Sequence, residues 1–209
     1  APDVSIFIMY GQTEATARLT CLPSAKLDAK LGSVGVPIRD VEIEVRGPDR
    51  QPLGSDEIGE IHARGPNIML GYWNDPHATA QVLNDGWLRT GDLGRRDAEG
   101  YLYIHGRAVE MIKVGAFRVS PSEVEEALAA IDGVEEVAVT GIPDDMLGQA
   151  IKAVIIPRPG VQLQALAIKA HCREHLAAYK IPKIVEFAAT LPRTSSGKVQ
   201  RHKLAEEIK

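Results

Sequence analysis

Thr90-Gly91-Asp92-Leu93-Gly94-Arg95-Arg96-Asp97-Ala98-Glu99-Gly100-Tyr101-Leu102-Tyr103-Ile104-His105-Gly106-Arg107-Ala108-Val109-Glu110-Met111-Ile112-Lys113-Val114-Gly115-Ala116-Phe117-Arg118-Val119-Ser120 is the stretch on which the reading of the chain turns. It sets acid, arginine and lysine at fixed points between two strand-like runs, and it reads as a hinge with ligands on both sides. Asp92 follows Thr90-Gly91, and Gly100 leading into Tyr101-Leu102-Tyr103-Ile104 reads as a turn entering a strand. Arg107, Lys113 and Arg118 come soon after. A carboxylate and several cations at one joint suit a ligand that carries hydroxyls and phosphate. Taken alone the stretch also fits a solvated, charged hairpin, so the remainder of the chain has to separate the two.

Outward from this joint, composition limits the classes. A chain of 209 residues with 44% hydrophobic content can bury a real core, as one large or two small domains. Its net charge of -4 and pI near 5.9 argue against a nucleic-acid binder, which needs a basic face for counterion release. The part from Arg107 onward is near neutral, and its cations bunch at Arg193, Lys198, Arg201 and Lys203. Cys21 and Cys172 lie far apart and outside any Cys-x-x-Cys pattern, so neither a disulfide framework nor a zinc site is indicated, and a cytoplasmic setting is expected. No apolar run approaches the ~18 residues of a membrane span, and residues 1–10 do not show the charged n-region expected of a secretory signal.

On the N-terminal side, residues 4–10 read as a buried strand running into Gly11-Gln12-Thr13-Glu14-Ala15-Thr16, a turn that presents a hydroxyl and a carboxylate. Ligands bind beyond the carboxyl ends of such strands in parallel sheets; a strand followed by a capped helix is the plain alternative. Alternation through Val41, Ile43 and Val45, then a run at 58–63, predicts a small antiparallel sheet. Asn67 to Pro76 reads as a loop, and Pro76 to Leu83 as a short helix with proline in its first turn. Strands near 87–88 and 101–104 bring the chain back to Gly106-Arg107.

On the C-terminal side the texture is compact α/β. Ser120-Pro121-Ser122-Glu123 predicts a helix with Ser120 as N-cap and Glu123 at N3, and Val124, Leu128 and Ile131 as its apolar stripe. Strands are expected at 134–142, 150–156 and 184–187, and a helix at 164–178 with Ala165, Ile168, Cys172, Leu176 and Tyr179 on one face. A loop carrying Arg193 and Gly197-Lys198 precedes a short charged helix. Two local patterns are decoys. His171-Cys172-Arg173-Glu174-His175 matches a two-histidine zinc pattern, but Cys172 and Leu176 pack this helix and no third ligand is evident. Gly197-Lys198 lacks the following Ser or Thr of a Walker loop, because Val199 stands there.

Tyr10-Gly11-Gln12-Thr13-Glu14, Gly59-Glu60 with Arg64-Gly65-Pro66, Met69-x-Gly71-Tyr72, Gly86-Trp87 with Thr90-Gly91-Asp92, Gly106-Arg107 with Ile112-Lys113, and Pro192-Arg193-x-x-x-Gly197-Lys198 follow one another along almost the whole chain. In that order they resemble the adenylate-forming, AMP-binding enzymes, which include acyl-CoA synthetases, peptide-synthetase adenylation domains and luciferases. The resemblance implies an α/β (α+β) fold. Residues 1–106 would be the end of the large domain, with a small antiparallel β subdomain, and 107–209 a compact C-terminal lid domain.

The same resemblance implies roles. Tyr10 and Gly11 would meet adenine, Thr13 the α-phosphate and Glu14 a Mg²⁺ ion, while Asp92 and Arg107 hold the ribose hydroxyls of ATP or AMP. Lys198 would stabilise charge during adenylation and Lys113 would serve the second half-reaction, beside a CoA-side loop at Gly115-Ala116. Ala108, Val109 and Glu110 would form the pivot. Two residues depart from the family pattern: Val109 replaces an acidic residue or Lys, and Ala116 replaces Gly. Together they imply a thioester step that is slow or fitted to another acceptor, through a narrowed approach or a strained loop at 116, unless Glu110 takes over at the pivot. The implied activity is acyl-CoA synthesis from a small carboxylate, ATP and CoA. Delivery to a carrier protein is the alternative, and a non-catalytic lid module the third reading. The family's Ser/Thr/Gly-rich phosphate loop does not occur in these residues, so the chain by itself is expected to be inactive.

Overall fold

Alternating burial along short strands builds the first half of the molecule. The computed structural model describes residues 4–195 and 197–206, and the chain divides into two compact units between Ala108 and Val109. In the first unit, Ile8–Tyr10 (β1), Thr20–Leu22 (β2), Ser33–Pro37 (β3), Glu42–Arg46 (β4), Gly59–Arg64 (β5), Leu83–Asn84 (β6), Trp87–Arg96 (β7) and Leu102–Arg107 (β8) form one antiparallel sheet in the order β1-β2-β3-β8-β7-β5-β4, with β6 beside β7. Val41, Ile43 and Val45 point to one side with Ile61, Ala63, Leu88 and Leu102, which is why the period-two pattern gathers a single core there. The helix Pro76–Val82 (α1) starts at Asp75, whose carboxylate accepts the Ala78 N–H at 2.8 Å.

Three expectations change in this unit. The run at 4–10 is a strand only over Ile8–Tyr10, it is antiparallel to β2, and Val4, Ile6, Phe7 and Met9 are exposed. Apolar content reads as burial from sequence, but among the described residues nothing covers this edge. The turn after it is a short 3₁₀ helix, Thr13–Ala15. Finally, Thr90-Gly91-Asp92 lies inside the ten-residue β7 and not at a free joint.

The second unit is built on a long hairpin. Val134–Asp144 (β11) and Gly148–Pro157 (β12) pair antiparallel, Ile184–Phe187 (β13) lies parallel to β12, and the small hairpin Ile112–Val114 (β9) and Phe117–Val119 (β10) joins at the end of β12. The helices Pro121–Ala129 (α2) and Ala165–His175 (α3) cover one face, where Val124, Leu128, Val139, Ile151, Ile155, Ile168 and Cys172 are buried together. The other face is closed by the C-terminal segment through Leu191 and Leu204, the latter on the short helix Arg201–Glu206 (α4). Strand alternation puts Lys152 on this face with Val154; its side chain is fully buried, and its Nζ lies 2.8 Å from a carboxylate oxygen of Glu186.

The sequence overestimates two features here. Ser120 precedes α2 with Pro121 at N1, yet its hydroxyl makes no capping bond, and Glu123 reaches across to Lys180. Helix α3 stops at His175, because Leu176 turns extended and a 3₁₀ turn, Ala178–Lys180, follows. Leu176 and Tyr179 still pack against the same core. The two decoy histidines stack at 4.0 Å between ring centroids, and His171 Nε2 lies 3.1 Å from the Ala127 carbonyl. No helix among the described residues is long and apolar enough to cross a membrane.

Candidate functional site

Register brings the first group of side chains together. Asp92 on β7 and Arg107 on β8 are direct cross-strand partners, so fifteen residues of chain collapse into one ion pair, Arg107 Nε to Asp92 Oδ1 at 3.2 Å. The other carboxylate oxygen accepts the Tyr10 hydroxyl at 2.7 Å, from the end of β1. Asp92 is 7% exposed, and its own N–H donates to Thr90 Oγ1, whose hydroxyl donates to the Ile61 carbonyl. Burial, together with the adjacent Asp92 carboxylate, pushes the Tyr10 phenol well above its ordinary pKa, so it stays a donor. The result is a carboxylate held in a fixed plane with acceptor capacity remaining, beside a half-exposed guanidinium and an aromatic ring. Such a set can take two vicinal hydroxyls and a flat heterocycle.

Thr13 and Glu14 sit on the 3₁₀ turn just beyond Gly11. This turn is strained, since Thr16 and Ala17 both adopt positive φ, 50° and 66°. A neighbouring loop holds it in place. Asn67 Nδ2 donates to the carbonyls of Ala15 at 3.1 Å and Arg18 at 2.8 Å, Thr16 Oγ1 donates to the Asn67 carbonyl, and the Met69 N–H donates to the Glu14 carbonyl. The Tyr72 hydroxyl donates to Glu14 Oε1 at 2.8 Å, and that bond raises the Tyr72 pKa. Glu14 therefore offers one oriented carboxylate. No cluster of three or more acidic, histidine or cysteine ligands occurs among the described residues. One carboxylate suits Mg²⁺, which is held by one or two carboxylates together with substrate phosphates.

Sequence reasoning gave no role to Asn67 and none to Tyr72 beyond its place in a motif. The available signal was Gly65-Pro66-Asn67, a turn in which an asparagine commonly satisfies backbone groups. Asn67→Ala removes two side-chain hydrogen bonds and frees a strained turn. We expect a loss of about 2 kcal/mol in urea unfolding of the 209-residue chain. A loss below about 0.5 kcal/mol would mean that the turn stands without it.

In the second unit, Lys198 lies on a turn closed by Thr194 N–H to the Lys198 carbonyl at 2.8 Å and Lys198 N–H to Thr194 Oγ1 at 3.1 Å. Arg193 braces the turn, donating to the Gly197 carbonyl at 2.6 Å and pairing with Glu136 on β11. The Lys198 side chain is exposed, so the fold fixes the backbone and leaves the ammonium to reach outward. Lys113 is exposed on β9, with its N–H bonded to Gln149 Oε1 at 2.7 Å. The turn beyond it has positive φ at Gly115 and not at Ala116, which removes the strained-loop route considered for the Ala116 methyl. Ala108–Glu110 is a 3₁₀ turn in which Val109 is 88% exposed, and Glu110 pairs with Arg201.

With this geometry in view, two family models match the chain, the AMP-binding enzyme over residues 2–73 and the AMP-binding enzyme C-terminal domain over 123–198. The chain is 43% identical over 190 residues to a feruloyl-CoA synthase from Amycolatopsis, covering 91% of this chain and 39% of that protein. The solved O-succinylbenzoate coenzyme A synthetase of Bacillus subtilis with AMP superposes at a TM-score of 0.90 and 35% identity, over 96% of this chain and 40% of that one. An amide bond synthetase from Marinactinospora thermotolerans superposes at 0.88 and 35% identity, over 97% and 42%. The chain belongs to the adenylate-forming, AMP-binding family. It spans about two-fifths of the length of the curated relatives it matches.

Proposed function

We propose that this chain is part of an AMP-forming acyl-CoA synthetase, which joins a carboxylate to ATP as acyl-AMP with release of pyrophosphate and then transfers the acyl group to the CoA thiol. The observation that carries the reading is the Tyr10–Asp92–Arg107 set, a buried carboxylate fixed from both sides beside an aromatic ring, which suits the ribose hydroxyls and the base of adenosine. Tyr10 and Gly11 border the adenine, Asp92 and Arg107 take the ribose hydroxyls, and Thr13 meets the α-phosphate. Glu14 is the residue that would hold Mg²⁺, whose chemistry is to neutralise phosphate charge. Adenylation is an in-line displacement at the α-phosphate, so the protein mainly positions groups and stabilises charge, which is the part assigned to Lys198. Lys113 and the Gly115-Ala116 loop serve the thiol step.

An amide bond synthetase among the structural neighbours, together with Val109 and Ala116, supports a second reading in which an amine or a carrier-protein thiol replaces CoA. CoA-dependent AMP release by the whole protein separates the two. The 209-residue chain itself is expected to bind ATP weakly and release no pyrophosphate, because it carries the adenosine contacts without the family's phosphate loop. Calorimetry checks this, and micromolar ATP affinity would show that these residues suffice.

A further inference from the structure

Arg201, the first residue of α4, stands three residues after Lys198 and holds two carboxylates at once. Its Nη2 lies 3.0 and 2.9 Å from the two carboxylate oxygens of Glu125, and its Nε lies 3.3 Å from the first of them. That same Glu125 oxygen also accepts the Val139 N–H at 2.8 Å, which ties the pair to α2 and β11. The remaining edge of the guanidinium donates through Nη1 to Glu110 Oε2 at 3.0 Å. One edge of the fork is therefore fixed to the body of the second unit, and the other grips the only acid in the turn Ala108–Glu110. Only Arg, with a rigid planar fork, can satisfy two carboxylates in this manner.

We infer that Arg201 is a positioning residue that pins Glu110 to the second unit, so that the chain between the units bends at Ala108–Val109 alone. The inference rests on reading residues 108–110 as the pivot. The division of the chain between Ala108 and Val109 agrees with it, and so does the contrast between a gripped Glu110 and a solvent-exposed Val109. Because α4 directly follows the Lys198 turn, the pin fixes the pivot's end relative to that lysine. Any slack at Glu110 would be passed on to Lys198 as misplacement. The arrangement also answers how a pivot without an acidic residue at 109 is ordered: Glu110 does not swing in its place but is the first fixed point of the second unit.

The test is hydrogen exchange of the amides at 108–112 in the 209-residue chain, for the unaltered protein, Glu110→Gln, Arg201→Gln and the double variant. Each single variant should raise exchange about two- to fivefold, the range expected for a partly exposed ion pair, and the double variant should add nothing further. Glu110→Gln leaves the Arg201–Glu125 pair intact, so it reports on the pin even where Arg201→Gln weakens the fold. Unchanged exchange in Glu110→Gln, or single effects that simply add, would overturn the pin. In the whole protein Glu110→Gln should shift the ratio of the two half-reaction rates by about twofold or more through kcat, with KM for ATP unchanged. Faster exchange with an unchanged ratio would overturn the link to the pivot. Absence of adenylate chemistry would instead overturn the proposed function and leave the exchange result standing.

Discussion

Lys198→Ala in the whole protein is expected to lower acyl-AMP formation by about 10²-fold or more, while supplied acyl-AMP and CoA still give thioester at a near-normal rate. One preorganised charge placed over developing negative charge contributes on this scale. The turn that presents it is held by backbone bonds to Thr194 and by Arg193, none of which uses the Lys198 ammonium, so the substitution removes the charge and leaves the turn. Lys113→Ala is expected to show the opposite division, since Lys113 lies on a separate hairpin whose backbone is fastened by Gln149. Single-turnover measurement of pyrophosphate release and of thioester formation reads the two steps apart. Equal losses in both steps for Lys198→Ala would sink the division of labour between the lysines.

Ordered motifs made the family legible, because each is a short local pattern that survives without knowledge of register. The β-rich first unit and the helix-covered hairpin of the second were legible for a related reason, since period-two and period-3.6 runs are local. What register decides was not legible. Nothing in the spacing of Asp92 and Arg107 fixes them as cross-strand partners, and nothing links Tyr10 to Asp92 across 82 positions. Interactions of this kind depend on a third element arriving, here β1 at the far edge of the sheet order from β4. Burial was misjudged for a similar reason at residues 4–10, where apolar composition says what a strand could bury and not whether a partner is present. Ser120 shows the limit of capping signals: the Ser-Pro-x-Glu pattern starts the helix where expected, yet the buried Ser120 hydroxyl makes no hydrogen bond and Glu123 pairs with Lys180 instead. Side chains that hold other residues in place, such as Asn67 and Arg201, carry no motif at all.

Gly11→Ala is expected to damage both stability and adenylation, and to do so through space alone. A Cβ at position 11 would lie 2.4 Å from the Ala17 carbonyl oxygen and 2.7 Å from Arg18 Cα, which are backbone atoms with no rotamer to change. The backbone at Gly11 is not in the left-handed region, so the residue is required by close approach and not by φ. The atoms it would strike belong to the strained turn at 16–17 that carries Thr13 and Glu14 at its head. To admit the methyl this turn has to move away from β1, against the bonds from Asn67. Overpacking of this sort costs about 1–3 kcal/mol. If Thr13 and Glu14 meet the phosphate as proposed, a displacement near 1 Å costs roughly 10²-fold in rate. Gly160→Ala serves as the contrast: its φ is +80° with no atom within 4 Å, so it should cost only about 1 kcal/mol of stability and leave the half-reactions intact. Urea unfolding of the 209-residue chain and single-turnover adenylation by the whole protein read the two effects. If Gly11→Ala behaved like Gly160→Ala in both, the tight contact with Ala17 would not be what positions Thr13 and Glu14.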